Sequence, residues 1–251
     1  MPEDNKYTYF FSDAHLIAGD YKQSHDRSEK VVEFIKYVSE HGKRLFIVGD
    51  LFDFWFEYKH SIPQTDPRIL GSIADAVDSG VEVHYSSGNH DLWLGRYLEN
   101  NVGVIIHDGA FETVIDRKNF YIAHGDGLFK NDRGYRIMKA FFRNPIAKWL
   151  FRVLHPDLGI RLAKLLSKSS RENPLSDVYI SNRKKLLQEF ARNKFAEGFD
   201  SVILGHIHEP DLLREESKIY INLGDWITHF TYALFDGSEI SLRYWKGVPK
   251  K

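Results

Sequence analysis

The sequence has no cysteine, which excludes disulfides, thiolate metal sites and cysteine nucleophiles. Any bound metal must then be held by nitrogen and oxygen, a donor set suited to manganese, iron, zinc or magnesium rather than to soft metals. No run of about 18 apolar residues is present, so no segment reads as a membrane span. The opening Met1-Pro2-Glu3-Asp4-Asn5-Lys6 lacks the basic start and long apolar stretch of a signal peptide, and the cytoplasm is the expected location. The chain also lacks a charge surplus: its net charge of −1 points to no class of partner. What it does have is 251 residues, 43% hydrophobic and 27% charged, the make-up of a globular protein with a sizeable core.

The even balance hides an uneven distribution. Gly127 to Phe195 holds 16 Lys+Arg against 5 Asp+Glu, leaving 18 of the 34 basic and 30 of the 35 acidic residues elsewhere. A basic segment is set into an acidic protein.

Along the chain, Tyr7-Thr8-Tyr9-Phe10-Phe11 reads as a strand running into Ser12-Asp13. Asp26 is expected to cap a helix whose Val31, Phe34, Ile35 and Val38 recur at helical spacing, with Gly42 as its stop. Arg44–Val48 is a strand ending at Gly49-Asp50, Pro67 opens a second helix that Gly80 closes, and Val81–Tyr85 is a third strand. Strand, helix, strand, helix, strand predicts parallel pairing with crossover helices. Short strands follow near 104–106, 111–115 and 120–123, without helices between them. Tyr135 to Phe195 reads as helical, broken at Pro145, Pro156 and Pro174. Strands return at 201–204, 219–223, 231–235 and 239–245, the last two joined by an Asp236-Gly237 turn. The expected architecture is one α/β sandwich over 1–251 with a helical insertion at about 128–197.

Five motifs fall where a predicted strand stops: Asp13-Ala14-His15, Gly49-Asp50-Leu51-Phe52-Asp53, Gly88-Asn89-His90-Asp91, His124-Gly125-Asp126 and Gly205-His206-Ile207-His208. Sites in open α/β sheets form beyond the carboxyl ends of strands, so the five would converge. They offer two carboxylates, one amide oxygen and four imidazoles, with His90 left over. That set oversupplies one metal and suits two divalent cations sharing a carboxylate. Two cations about 3.5–4 Å apart can hold a bridging hydroxide and clamp a phosphoryl group. Gly49, Gly88 and Gly205 would allow the tight turns and close backbone approach. Asp53 and Asp126 are either partners of metal-bound imidazoles or plain turn residues. Asn222 and Asp225 are expected to shape a turn nearby. His25, His41, His60, His84, His107, His155 and His229 read as structural.

In this order the motifs resemble the calcineurin-like metallophosphoesterase superfamily, whose fold is two mixed sheets flanked by helices. The resemblance implies that Asp13, His15 and His208 bind one metal, that Asn89, His124 and His206 bind the other, and that Asp50 bridges them. It further implies that His90 faces the phosphate with Asn89, with Asp91 orienting it.

The insertion bears on the substrate. Phe129, Tyr135, Ile137, Met138, Phe141, Phe142, Trp149, Leu150, Phe151, Leu154, Leu158, Leu162, Leu165 and Leu166 are interleaved with its basic residues. They form either amphipathic helices with a solvated basic face, or a lid that shelters acyl chains and meets anionic headgroups. The runs Gly49-Asp50-Leu51-Phe52-Asp53-Phe54-Trp55, His124 to Leu128, Asp132-x-Gly134-Tyr135, Trp149-Leu150 and Gly205-His206-x-His208-x-Pro210 resemble the UDP-2,3-diacylglucosamine hydrolase family. That family cleaves the pyrophosphate of its lipid A precursor to UMP and 2,3-diacylglucosamine 1-phosphate (lipid X), typically with manganese. The resemblance implies two Mn2+, hydroxide attack on the α-phosphorus, a UDP-linked acylated sugar as substrate, and peripheral contact with the anionic inner membrane. Arg133, Tyr135, Lys168 and Arg171 are candidates for substrate contacts, and no nucleic acid is expected. One departure stands out, because well-known proteobacterial members carry Arg where this chain has His90; Arg neutralises charge but donates no proton at neutral pH. The open alternatives are a nucleotide pyrophosphatase, a phosphodiesterase, a nuclease and a non-catalytic metal-bound scaffold.

Overall fold

The computed structural model describes residues 7–17, 21–128, 140, 142–162 and 177–248, with backbone alone at 21–24 and 177. Arg133, Tyr135, Lys168 and Arg171 lie outside the described residues, as do Phe129, Asp132, Gly134, Ile137, Met138, Phe141, Leu165, Leu166 and Pro174.

The chain forms β1 (Tyr7–Phe11), α1 (Tyr21–His41), β2 (Gly42–Val48), α2 (Pro67–Asp78), β3 (Glu82–Ser86), β4 (Ile105–His107), β5 (Phe111–Ile115) and β6 (Lys118–Ile122). Then come α3 (Pro145–Val153), α4 (Asp177–Ala196), β7 (Ser201–Leu204), β8 (Pro210–Glu215), β9 (Lys218–Leu223), β10 (Thr231–Phe235) and β11 (Ile240–Tyr244). The first sheet has the order β11-β10-β1-β2-β3-β4 and the second β5-β6-β7-β9-β8. As the strand–helix alternation predicts, β1, β2, β3 and β4 pair in parallel. Both sheets are mixed: β10 is antiparallel to β1, and β9 pairs parallel to β7 but antiparallel to β8. The fold is an α/β sandwich of two mixed sheets flanked by helices.

Alternation within each strand builds the layers. Phe10 and Phe46 point between the sheets and meet Phe120, Ile122, Ile203, Ile221 and Phe235. Their neighbours Phe11, Leu45 and Ile47 point outward to Phe34, Ile35 and Val38 of α1 and Ile69 and Ile73 of α2. Strands buried on both faces read as unbroken apolar runs, as β1 and β2 do. Burying each large side chain contributes about 1.5–3 kcal/mol, and Phe10→Ala would cost about 3–5 kcal/mol. α2 starts as its sequence requires, with Asp66 accepting from Arg68 N and Pro67 in the first turn.

One expectation is corrected, one is sharpened and one strand is new. α1 begins at Tyr21, so Asp26 lies inside it and caps nothing; no Gly or Pro interrupts 21–26, and the helix runs on towards the strand ends. The helical stretch is interrupted at Asn144, as the proline predicts, and Pro145 then opens the next helix, with the Asn144 side chain accepting from Ile146 N. β8 carries no signal in the sequence because it is a polar edge strand that begins on a proline.

The helices within 128–197 do two different jobs. α4 covers the second sheet through Leu187, Ala191 and Phe195. α3 buries no residue, and its Ile146, Trp149, Leu150 and Val153 stand 67%, 61%, 53% and 65% exposed. Their spacing makes one continuous apolar stripe on a helix. On the inner side, Phe151 packs among Phe54, Phe56, Tyr58 and Trp93. Those residues follow directly on Asp50-Asp53 and Asp91, so α3 sits beside the strand-end loops.

Candidate metal centre

The five motifs meet at one end of the sandwich. Asp13 and His15 follow β1, Asp50 follows β2, Asn89 follows β3, His124 follows β6, and His206 and His208 follow β7. Hydrogen bonds between loops fix the first two turns together, Asp13 N donating to Gly49 O and His15 N to Asp50 O at 3.2 and 2.9 Å. Asp13, His15, Asp50, His206 and His208 all have left-handed backbones, with φ of 56°, 45°, 53°, 75° and 58°. Non-glycine residues rarely take this conformation, and functional sites are where it concentrates. Sequence reasoning had no means of finding it.

Two donor groups form. In the first, His15 Nε2 lies 3.0 Å from His208 Nε2, 3.7 Å from Asp13 Oδ1 and 3.6 Å from Asp50 Oδ2; His208 Nε2 is 3.3 Å from Asp13 Oδ1. In the second, His124 Nε2 is 3.2 Å from the same Asp50 Oδ2 and 3.0 Å from Asn89 Oδ1, which lies 2.9 Å from His206 Nδ1. Asp50 Oδ2 therefore belongs to both.

The arrangement fits a pair of cations on its own chemistry. Asp13 Oδ1 is buried and, although the His208 and His15 ring nitrogens lie near it, makes no well-formed hydrogen bond among the described residues, an expensive state for a carboxylate oxygen unless a cation faces it. Asp13, His15 and His208 form a set able to hold a metal ion, and Asp13, Asp50 and His124 form another. The ring nitrogens are also aimed. His124 Nδ1 donates to Val48 O at 3.0 Å, which leaves Nε2 as the atom turned towards Asp50 and Asn89.

Three glycines are needed for space, Gly205 among them, whose Cβ would lie 2.6 Å from Asp13 Oδ2. A Cβ at Gly88 would collide with Asp50 Oδ1, and one at Gly49 would lie 2.5 Å from His124 Nδ1; Gly49 also has φ of +82°.

Electrostatics prepares the same groups. Burial opposes ionisation of Asp13 and Asp50, but the surrounding histidines outweigh it and hold both carboxyls well below their usual range. Burial, with His124 adding to it, pushes His206 down to about 4. Burial also takes His15 down to about 4, against the pull of Asp13 and Asp50. His124 goes the other way: burial disfavours its charge, but Asp50 and Asp13 raise it well above the ordinary value. Against burial, Asp13 raises His208 as well; ionised carboxylates beside neutral His15 and His206 are the form in which donors take up cations, and His124 and His208 would release a proton as a cation enters.

His90 stands at the mouth, its side chain 13% exposed, with its ring edge-on to His15 at 4.7 Å between centroids. Its backbone N donates to Asp50 Oδ1 at 2.9 Å. Its Nδ1 is 3.3 Å from Asp53 Oδ1 and 3.2 Å from Asp53 O. Asp53 is thus the carboxylate beside the His90 ring, and it also lies 3.5 Å from His15 Nδ1. Asp91, expected to orient His90, has its carboxylate taken up elsewhere: Oδ1 accepts from Gly88 N at 2.8 Å, and Oδ2 accepts from Tyr85 OH and Phe52 N. Burial and then Asp50 push its acid up to about 6. Asp91 ties the loop, whereas Asp53 meets the imidazole. The charge of Asp126 acts on His124 and His206. Asn222 Nδ2 donates to Gly205 O at 2.6 Å, and Asp225 Oδ1 accepts from the amides of Ile227, Thr228 and His229, so both shape turns at the site.

A family model for calcineurin-like phosphoesterases matches residues 7–210. The chain belongs to that family and is a metal-dependent hydrolase. Among curated proteins it is 33% identical to a UDP-2,3-diacylglucosamine hydrolase of Porphyromonas gingivalis, across 93% of this chain and 95% of that one. It is 29% identical to the enzyme of the same name from Haemophilus influenzae strain PittGG, across 91% and 94% of the two chains. Among solved structures, an archaeal phosphodiesterase superposes with a TM-score of 0.50 at 15% identity, over 95% of this chain and 99% of that one, a likeness of fold.

Proposed function

We propose that the protein hydrolyses the pyrophosphate of UDP-2,3-diacylglucosamine, releasing UMP and 2,3-diacylglucosamine 1-phosphate. The observation that carries this reading is a two-part donor set sharing Asp50 Oδ2, beside a helix whose apolar stripe is left uncovered. Near full-length similarity to hydrolases of that name supports it. A phosphoesterase acting on a small soluble ester has no use for Ile146, Trp149, Leu150 and Val153 in solvent; one acting on an acylated sugar does.

Asp13, His15, Asp50 and His208 would hold one divalent cation, and Asp50, Asn89, His124 and His206 the other, with Mn2+ the expected metal. Such a pair supplies charge neutralisation and a water that ionises near neutral pH. The chain's own residues set the rest. The buried floor of Asp13, His15, Asp50 and His124 leaves His90, Asn89, His206 and His208 on the open side, which is where a phosphoryl group must arrive. His90, with Nδ1 against Asp53, turns Nε2 to that side. There it stabilises a nonbridging oxygen or protonates the departing sugar phosphate, with water attacking the α-phosphorus. His90 keeps a transferable proton in place of the guanidinium of the proteobacterial enzymes. Arg133, Tyr135, Lys168 and Arg171 are proposed to contact the substrate's phosphates or headgroup. The apolar stripe, with Lys148 and Arg152 on the same helix, receives acyl chains and rests on an anionic inner-membrane surface from the cytoplasmic side. Among the described residues no helix is long and apolar enough to cross a membrane.

The test is turnover of UDP-2,3-diacylglucosamine by Mn2+-loaded protein beside bis-p-nitrophenyl phosphate, with Asp50→Ala as control. Rapid, Asp50-dependent UMP release with slow generic hydrolysis is expected. Generic hydrolysis alone would discard the lipid substrate and leave a phosphodiesterase. In oxygen-18 water the label should enter UMP; label only in the lipid product would refute α-phosphorus attack. Sedimentation with anionic vesicles tests the membrane contact, and equal recovery with neutral vesicles would remove the charge component.

A further inference from the structure

We infer that Arg27 of α1 is a positioning residue for one of the two cations, holding the Asp13-Ala14-His15 turn in the shape that aims both side chains at a single point. The inference rests on the two-cation reading and adds a residue that no motif contains.

Arg27 Nη1 donates to Ala14 O at 3.0 Å and to His15 O at 2.8 Å. Trp226 N donates to Asp13 O at 3.0 Å. Three consecutive carbonyls of the turn are therefore satisfied from outside it, two of them by one charged nitrogen. The turn needs this help. Asp13 and His15 both sit in the left-handed region, and such a backbone persists only where its surroundings over-determine it. Ala14 and His15 are fully buried, so if Arg27 were removed, two carbonyls would be stranded away from water. Hydrogen bonds from a cation are about twice as strong as neutral ones, which suits a bond that must hold a strained turn.

The cation is itself supported. The buried carboxylate of Asp225 acts on Arg27, and Asp225 precedes Trp226, the donor to Asp13 O. Helix α1 and the turn after β9 thus grip the same three residues. This also accounts for the early start of α1: a helix beginning at Asp26 would leave Arg27 in its frayed first turn.

The experiment measures Mn2+ binding by electron paramagnetic resonance titration of full-length Arg27→Ala, Arg27→Gln and Arg27→Lys proteins, beside steady-state kinetics. Circular dichroism verifies folding; if R27A is unfolded, the milder R27Q carries the same expectation. Two equivalents should bind the wild type, and one of them should weaken about 10–100-fold in R27A, the range for lost partners of metal ligands. R27K, whose ammonium can also bridge two carbonyls, should recover most of that loss. Excess Mn2+ should restore kcat with KM unchanged. Wild-type affinity for both equivalents in R27A and R27Q would overturn the inference. So would a raised KM at saturating Mn2+ with unaltered binding, which would make Arg27 a substrate contact. Fewer than two equivalents in the wild type would overturn the two-cation reading and this inference with it, a failure visible before any variant is made.

Discussion

Asp13, His15, Asp50 and His124 expose at most 1% of their surface, whereas Ile146, Trp149, Leu150 and Val153 each expose more than half. Polar groups are inside and apolar groups outside, the reverse of ordinary partition, in two regions joined by the cluster around Phe151. Each inversion is a sign of a missing partner. The buried carboxylates and imidazoles call for cations, and the uncovered stripe calls for hydrocarbon. The regions also differ in how they are held. The centre is fixed by backbone bonds from four strand ends, and α3 by aromatic packing on one side.

The difference predicts a ranking of effects. Asp50→Ala should be the most severe, because both donor groups lose a shared oxygen: UMP release should fall to background and metal content by mass spectrometry should drop. Full metal content in that variant would break the claim that Asp50 joins the two groups. His90→Ala comes next, with kcat lowered about 10²–10⁴-fold, the usual worth of a positioned proton donor, while Mn2+ uptake persists. Loss of metal together with activity would move His90 into the donor set.

Trp149→Ser with Leu150→Ser should act on a different axis. We expect KM for the acylated substrate to rise about tenfold, from lost apolar contact, with bis-p-nitrophenyl phosphate turnover unchanged. Because both side chains are exposed, the unfolding midpoint should barely move. A matching loss on the small ester would mean that α3 shapes the centre itself, and the two regions would no longer be separable.

The smallest effect belongs to the sheet edge beneath both. His84 stacks on Phe46 and shares a 3.0 Å hydrogen bond with His107, with Glu82 and Arg44 nearby. Burial first, then His107, holds His84 down to about 4 from 6.5. Between those values the unfolded chain takes up a proton that the folded one refuses, so stability is full above pH 6.5 and declines as pH falls towards 4. In metal-free protein, thermal unfolding of His84→Phe should show a shallower acid decline than wild type; parallel curves would clear His84 of any part in it.

Much of this was readable from residues alone. Unbroken apolar runs in β1 and β2 announced buried parallel strands, and a metal-ligand residue type at each of five strand ends, behind a glycine at Asp50, Asn89 and His206, announced convergence. What stayed hidden depended on distance through space. The resemblance gave Asp91 to His90 and left Asp53 between a partner of a metal-bound imidazole and a turn residue; only the path of the loops sends Asp53 to the His90 ring and Asp91 to Tyr85. Arg27 sits 12 residues beyond His15 in no motif, and its partners are backbone carbonyls, which leave no mark in a sequence. β8 is an edge strand, so burial never forced an alternating pattern onto it. Arg133, Tyr135, Lys168 and Arg171 stay proposals from charge and resemblance.

The left-handed backbone at Asp13, His15, Asp50, His206 and His208 also bears on how the protein matures. Each such residue costs about 1–2 kcal/mol against the right-handed form, and that cost is met only by strands already in register around it. A nascent chain carrying one or two motifs has nothing to hold its ligands in this posture, and β7 and its two histidines are synthesised last among the donors. Cation loading is therefore expected to follow closure of both sheets, and a ribosome-bound fragment ending before Ser201, which lacks His206 and His208, should take up no pair of cations.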